Sequence, residues 1–311
     1  MLRLGINRFL WPAWPLVVLM LAVTFTACGG GGDSSPGQDS QAARLTVTVS
    51  LAIFADFVRQ VGGDRVDVFT IIPSGADPHT FQPSPRDAEK IREADVVFIN
   101  GWGLEAPLKD LVENNVRQDV PIIPLAGSGP EWAAPDTGPA WAANPHQWLD
   151  VGRAMSYVQR IGDALRALDQ ENADYYQSNA ETYLAELRAL NTGIEEQIAA
   201  IPPERRRLVT FHDSFSPLAH TYGLEMVGVV IASPGQEPSA RDVADLVKAI
   251  QDQGVPAVFK EPQFNARVLE LAAAEASVQV CTLYSDSFSG EIDSYVELMR
   301  FDANELARCL G

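Results

Sequence analysis

From Leu45 onward the chain alternates short runs of β-branched, aliphatic and aromatic residues with longer stretches whose apolar positions recur every three or four residues. The short runs predict strands over residues 45–50, 66–73, 95–100 and 121–125 in the first half, and 207–212, 225–231, 256–260 and 278–283 in the second. Several are apolar without a break, Val96-Val97-Phe98-Ile99 most clearly. Unbroken runs suit strands covered on both faces, as in a parallel sheet between helices. The intervening stretches carry helix starts. Ser84-Pro85-Arg86-Asp87 sets an N-cap serine before a proline and an acid at the third helical position, and Ser239-Ala240-Arg241-Asp242 repeats the capping pattern. Strand and helix alternate through both halves, so the expected fold class is α/β: two βα lobes with mostly parallel sheets, over residues 44–169 and 202–311.

Between the lobes the period changes. Tyr176, Ala180, Tyr183, Leu187, Leu190, Ile194, Ile198 and Ile201 are spaced three or four apart, with no proline until Pro202-Pro203. This predicts one long amphipathic helix over residues 171–201, about 46 Å at 1.5 Å per residue, as the core of a linking segment 170–201. Such a rod is a stiff connection, unlike the loops that permit wide hinge closure.

The first 43 residues read differently. Arg3 and Arg8 form a basic start, Leu16 to Phe25 an apolar run, and Phe25-Thr26-Ala27-Cys28 closes it. That run is too short for a bilayer span, which needs about 20 residues. The segment resembles a bacterial lipoprotein signal: residues 1–27 would be removed and Cys28 lipidated as the mature N-terminus. The Gly-, Ser-, Asp- and Gln-rich residues 28–43 then read as a flexible tether to the membrane. The body is expected to work outside the cytoplasm.

Composition narrows the function. The 311 residues carry 23 basic and 41 acidic side chains, a net charge of −18. Loss of Arg3 and Arg8 with the signal leaves 21 basic against 41 acidic, or −20. Such a surface disfavours nucleic acid, whose phosphates need Lys and Arg, and tolerates cations. Apart from Cys28, only Cys281 and Cys309 remain, which outside the cytoplasm can form a bridge or stand as two buried thiols.

Candidate chemistry gathers at strand ends and helix entrances, where βα folds place their ligands. Pro73-Ser74-Gly75-Ala76-Asp77-Pro78-His79 follows the second strand, Asn144-Pro145-His146-Gln147-Trp148-Leu149-Asp150 precedes a helix, Thr210-Phe211-His212-Asp213 ends the fifth strand, and Leu283-Tyr284-Ser285-Asp286 follows the last. Three of the four histidines thus lie at such positions. Imidazole with carboxylate suits a first-row divalent ion such as zinc, or manganese if oxygen ligands supplement it. His220, on an expected helix, reads as a surface or partly buried histidine. Glu261, at a strand end, is a candidate to support a ligand from behind. Gly101-Trp102-Gly103 lacks the third glycine and the helix of a phosphate-binding loop, so it signals no nucleotide.

These segments, together with Leu104-Glu105, Tyr222-Gly223-Leu224 and Glu237-Pro238-Ser239, resemble the solute-binding lipoproteins of bacterial ABC importers for zinc and manganese, in the right order from Leu45 to the C-terminus. The resemblance implies two βα lobes joined by one long helix, with a single ion at the interlobe cleft. By position, His79 and His146 would come from the first lobe and His212 and Asp286 from the second. It implies a binding protein rather than an enzyme, a lipid-anchored monomer that captures a divalent cation and delivers it to a membrane permease with its cytoplasmic ATPase. Manganese-type relatives often carry Glu where this chain has His212, so the three histidines favour zinc as the transported ion, with manganese as the alternative. Zinc-type relatives often insert a histidine-rich loop before the second ligand. Here residues 126–143 hold none, and Trp132 and Trp141 suggest a cover over the cleft instead. Binding needs neutral imidazoles, so affinity is expected to fall below about pH 6.5. The rival functions are a zinc-dependent hydrolase, which needs an open water position and a general base, and a surface adhesin.

Overall fold

The computed structural model describes residues 44–127, 140–231 and 234–311. Cys28, the expected signal and tether, and the proposed covering tryptophan Trp132 lie outside the described residues, as does the side chain of Trp141. The first half contains β1 (Leu45–Leu51), α1 (Ala52–Gly62), β2 (Val66–Ile72), α2 (Pro85–Glu93), β3 (Val96–Ile99), α3 (Lys109–Asn115), β4 (Ile122–Pro124), α4 (Ala140–Ala143) and α5 (Val151–Leu168). The rest contains α6 (Ala173–Ala199), β5 (Arg207–His212), α7 (Ser216–Tyr222), β6 (Glu225–Ile231), α8 (Ala240–Gln253), β7 (Ala257–Lys260), α9 (Arg267–Ala276), β8 (Gln279–Thr282) and α10 (Tyr295–Leu310).

The strands form two four-stranded sheets, ordered β2-β1-β3-β4 and β6-β5-β7-β8, and every pairing within them is parallel. The α/β expectation therefore holds, with the strands found within two residues of their expected bounds. The reason is burial. All four side chains of β3 are buried, and helices cover both faces, so an unbroken apolar run is what this position requires. The capping serines act as expected: the Asp87 carboxylate accepts from Ser84 N at 2.6 Å, and Asp242 Oδ2 from Ser239 N at 2.9 Å.

The long helix α6 has 27 residues, about 40 Å, and buries Tyr176, Ala180, Tyr183, Leu187, Leu190, Ile194 and Ile198. It is shorter at both ends than the expected span 171–201. Before it, Asp169 accepts from Asn172 Nδ2 and Tyr176 Oη, both at 2.8 Å, and the chain makes a 3₁₀ turn there instead. After it, Ile201 N bonds Ile198 O at 3.1 Å, and Pro202-Pro203 ends the helix. Along its length α6 packs on α1 and α5 of the first half and on α7 and α10 of the second.

The larger apolar core runs without interruption from Val47 through α1, α5 and α6 to Leu310, while a smaller cluster around Val209, Phe211, Ile250 and Val258 serves the second sheet. The last helix joins the halves. Tyr295 N donates to Asp56 Oδ2 at 2.9 Å, Tyr295 Oη donates to Trp148 O at 2.6 Å, and the Tyr295 ring meets Phe57 edge-on at 4.8 Å. Among the described residues, no helix is long and apolar enough to cross a membrane.

Cys281, in β8, and Cys309, in α10, form a disulfide across a sequence separation of 28. Closing a loop of that length stabilises the fold by about 3–4 kcal/mol in the chain-entropy model. The double substitution Cys281→Ser and Cys309→Ser should lower unfolding free energy by about that amount in urea titration, and an unchanged midpoint would show that the bridge contributes no stability.

Candidate metal site

Four loops converge at the carboxyl ends of the two sheets. Past β2 the chain turns through Gly75, whose φ of 86° favours glycine, and Asp77 then folds the loop by accepting from His79 N at 2.9 Å and Thr80 Oγ1 at 2.7 Å. Gly75 N also donates to Ser287 Oγ, which ties this loop to the one that carries Asp286. His146 stands just before α5. Asn144 Oδ1 accepts from its backbone N–H at 2.9 Å and faces its Nδ1 at 2.8 Å, while Asn144 Nδ2 donates to Asp213 O in the second half at 2.7 Å.

His212 is the last residue of β5, and its Nδ1 lies 2.9 Å from Oε1 of Glu261, just past β7. Asp286 lies in the loop after β8, which is pinned by Trp148 Nε1 donating to Ser285 O at 2.9 Å and by Tyr284 N donating to Asp302 Oδ1 at 2.9 Å.

The result is a ring of facing donor atoms. His146 Nε2 lies 3.3 Å from Nε2 of both His79 and His212, 3.2 Å from Asp286 Oδ1, and His212 Nε2 lies 3.6 Å from Asp286 Oδ2. Edges of 3.3 Å belong to a tetrahedron whose centre is about 2.0 Å from each corner, the length of a zinc–imidazole bond. His146, His212 and Asp286 are 2%, 1% and 2% exposed, and only His79 is half-buried. Asp286 Oδ1 is buried without a hydrogen-bond partner among the described residues, an arrangement a cation would satisfy. A cavity of about 470 Å³ opens above the ring between Trp102, Pro145 and Pro234.

Electrostatics sorts the four groups. Burial lowers the His79 imidazole to about 3, so it is neutral near pH 7. Burial also works to lower His212, but the Glu261 carboxylate, through its charge and hydrogen bond, and Asp286 outweigh it and raise His212 to about 9. Burial opposes ionisation of Asp286, yet His146 and then His212 and His79 hold it well below the usual carboxylate range. The backing groups also choose tautomers. An acceptor at Nδ1 of His146 and of His212 puts a proton there, which leaves Nε2 of each ring to face the common centre once His212 gives up its second proton.

All four residues expected from the sequence thus meet at one point, and Glu261 stands directly behind His212. His220 lies exposed on α7 and is not among the converging donors. One other group of His, Cys, Asp or Glu donors occurs among the described residues, Cys281, Glu305 and Cys309, and its thiols are joined as the disulfide.

Several supporting residues escaped sequence reasoning. Asn144 is visible within the Asn-Pro-His run, but not that its Oδ1 faces both the backbone N–H and the ring Nδ1 of His146. Gly101-Trp102-Gly103 proves to be a left-handed turn, with φ of 82°, 54° and 81°. It is clamped by Glu105, which accepts from Asn100 N at 2.6 Å and Gly101 N at 3.1 Å. The turn leaves Asn100 Nδ2 to donate to Pro145 O at 2.9 Å, beside His146.

Known proteins share this plan. The profile of the family described as "ZnuA: Zinc-uptake complex component A periplasmic" matches residues 47–309. The manganese-binding lipoprotein MntA of Halalkalibacterium halodurans is 29% identical over 292 residues, 93% of this chain and 95% of that protein. The iron-binding protein YfeA of Yersinia pestis is 31% identical over 281 residues, 87% of this chain and 88% of its own length. Among solved structures, a Mn-bound periplasmic metal binding protein from Candidatus Liberibacter asiaticus superposes with a TM-score of 0.76 at 27% identity, covering 86% of this chain and all of that one. A crystal structure of ZnuA gives 0.75 at 28%, with the same coverage.

The two perturbed histidines make opposite contributions to stability. His79 is lowered on folding, so its contribution is lost as pH falls from about 6.5 towards 3. His212 is raised, so its contribution is present below about 6.5 and lost as pH rises through about 9. Metal-free protein should therefore be most stable near pH 6.5, and urea unfolding across pH 4 to 10 would contradict this by showing a flat profile.

Proposed function

The chain belongs to the zinc-uptake component A family of metal-binding proteins that serve ABC importers, and on that premise we propose that it captures a divalent transition metal through His79, His146, His212 and Asp286. The observation that carries this reading is the convergence of three imidazole Nε2 atoms and one carboxylate within bonding distance of a single point. The ion is cargo, handed to a membrane permease driven by a cytoplasmic ATPase. We place the body outside the cytoplasm, anchored through a lipid on Cys28 after loss of residues 1–27 and held off the membrane by residues 28–43. The chain divides into lobes over 44–169 and 202–311 with 170–201 linking them. One chain supplies all four donors, so a monomer suffices.

Zinc is the first reading for the ion, because three nitrogens suit a borderline-soft metal. Manganese is the second, favoured by a specific feature: both oxygens of Asp286 face the imidazoles, so the carboxylate can bind through both and add an oxygen ligand. Several relatives are also named for manganese. A hydrolase would need a position left for water and a base poised beside it, whereas here Asp286 takes the fourth place and Glu261 is bonded to His212.

Elemental analysis of the body after Cys28, followed by zinc and manganese competition, tests the assignment. Alanine at His79, His146, His212 or Asp286 should weaken binding at least 100-fold, and wild-type affinity in all four variants would remove the site. The pH dependence follows from His212. Because this ring is raised to about 9 in the metal-free protein, the ion must displace its proton, and affinity should fall about tenfold per pH unit below that value. The onset is thus higher than the ordinary histidine value of about 6.5 implies. Calorimetry at pH 7.5 in buffers of different ionisation enthalpy should record about one proton released per ion, and zero release would contradict the assignment of that proton.

A further inference from the structure

The proposed ligand set leaves one charge uncompensated. A dication held by three neutral imidazoles and the Asp286 carboxylate retains a single formal positive charge, in a place where three of the four ligand residues are at most 2% exposed. Buried charge of this kind is unfavourable unless a partner offsets it.

Glu261, 1% exposed, stands where such a partner would act. Its Oε1 lies 2.9 Å from His212 Nδ1 and accepts from His212 N at 3.3 Å. Its Oε2 accepts from Ser285 Oγ and lies 3.4 Å from both Ser214 Oγ and Gln263 Nε2. None of these donors is a lysine or arginine, and the adjacent Lys260 bonds Glu270 Oε1 at 3.2 Å instead. The other buried carboxyl nearby, Asp302, is pushed well above its ordinary range by burial, which disfavours its charged form, and it faces Tyr284 N rather than the ring of donors. Asp77 is half-buried at the rim, where solvent screens it.

We infer that Glu261 is the second anion of the metal site: a positioning residue that does not touch the ion, but aims His212 and, across its ring, brings the buried charge of a bound dication to zero. This rests on the four-ligand reading above and deepens it. The His212–Glu261 pair is a neutral nitrogen ligand in shape and an anionic ligand in charge, so the site matches a divalent cargo.

Glu261→Gln retains the side chain's shape and an acceptor for Nδ1–H while removing the charge. It should weaken both zinc and manganese 10- to 100-fold, the usual effect of losing an outer carboxylate, with the thermal midpoint of the metal-free protein recorded to show that the variant folds. The decisive test moves the carboxylate from behind the imidazole to the ligand position. His212→Glu alone sets two carboxylates against each other and should bind poorly. Adding Glu261→Gln to it restores a single charge, and the double variant should bind at least tenfold more tightly than His212→Glu alone. The same substitution thus harms one background and helps the other. Wild-type affinity in folded Glu261→Gln, or a second substitution that weakens binding in both backgrounds, would overturn the inference. Asp286→Ala and His79→Ala, measured alongside, separate the two failures. If they lose binding while Glu261→Gln does not, only the charge assignment falls; if they bind as wild type, the ligand reading falls with it.

Discussion

The structure depends on keeping electron-rich donor atoms together against their own repulsion. Imidazole nitrogens 3.3 Å apart with a carboxylate at 3.2 Å gain nothing from one another unless a cation or a proton lies among them. Each group must therefore be gripped from outside the ring. Asn144 grips His146, Glu261 grips His212, the Asp77 turn sets His79, and Trp148 with Asp302 fixes the loop of Asp286. The grips on His146, His212 and the Asp286 loop through Trp148 are buried polar contacts, and the apolar core around them is what keeps water from competing.

The same requirement explains why the two halves share a core. Asn144 reaches from the first half to Asp213 of the second, Gly75 reaches Ser287, and Trp148 reaches Ser285. Lobes joined only by a flexible linker would have to re-form these bonds each time they met. The 27-residue helix α6, packed on elements from both halves, holds the facing loops in register instead. Of the four converging residues, His79 is the one left half-buried.

Local signals made much of this legible. Unbroken runs such as Val96–Ile99 identify strands because both faces are covered, and the stripe from Tyr176 to Ile198 identifies α6 because its period matches the burial. The four converging residues stand out because histidines and an aspartate at strand ends are few, and because their neighbouring residues resemble a known family. What the sequence does not show are partnerships between distant positions. Tyr295 and Asp56 are 239 residues apart, and Asn144 and Asp213 are 69. Nothing local marks Asp302 as a fully buried acid. The ends of α6 fall inside the expected span 171–201 because Asp169 and Pro202 impose turns that periodicity does not register.

The position of α10 has a consequence for the order in which this molecule comes into being. Tyr295, near the end of the chain, completes the packing around Asp56, Phe57 and Trp148 in the first half. The packing of these early segments is therefore completed by residues near the end of the chain. Contacts at such sequence separation slow folding. In a chain similar to periplasmic proteins, slow closure is compatible with passage across a membrane before the fold is complete.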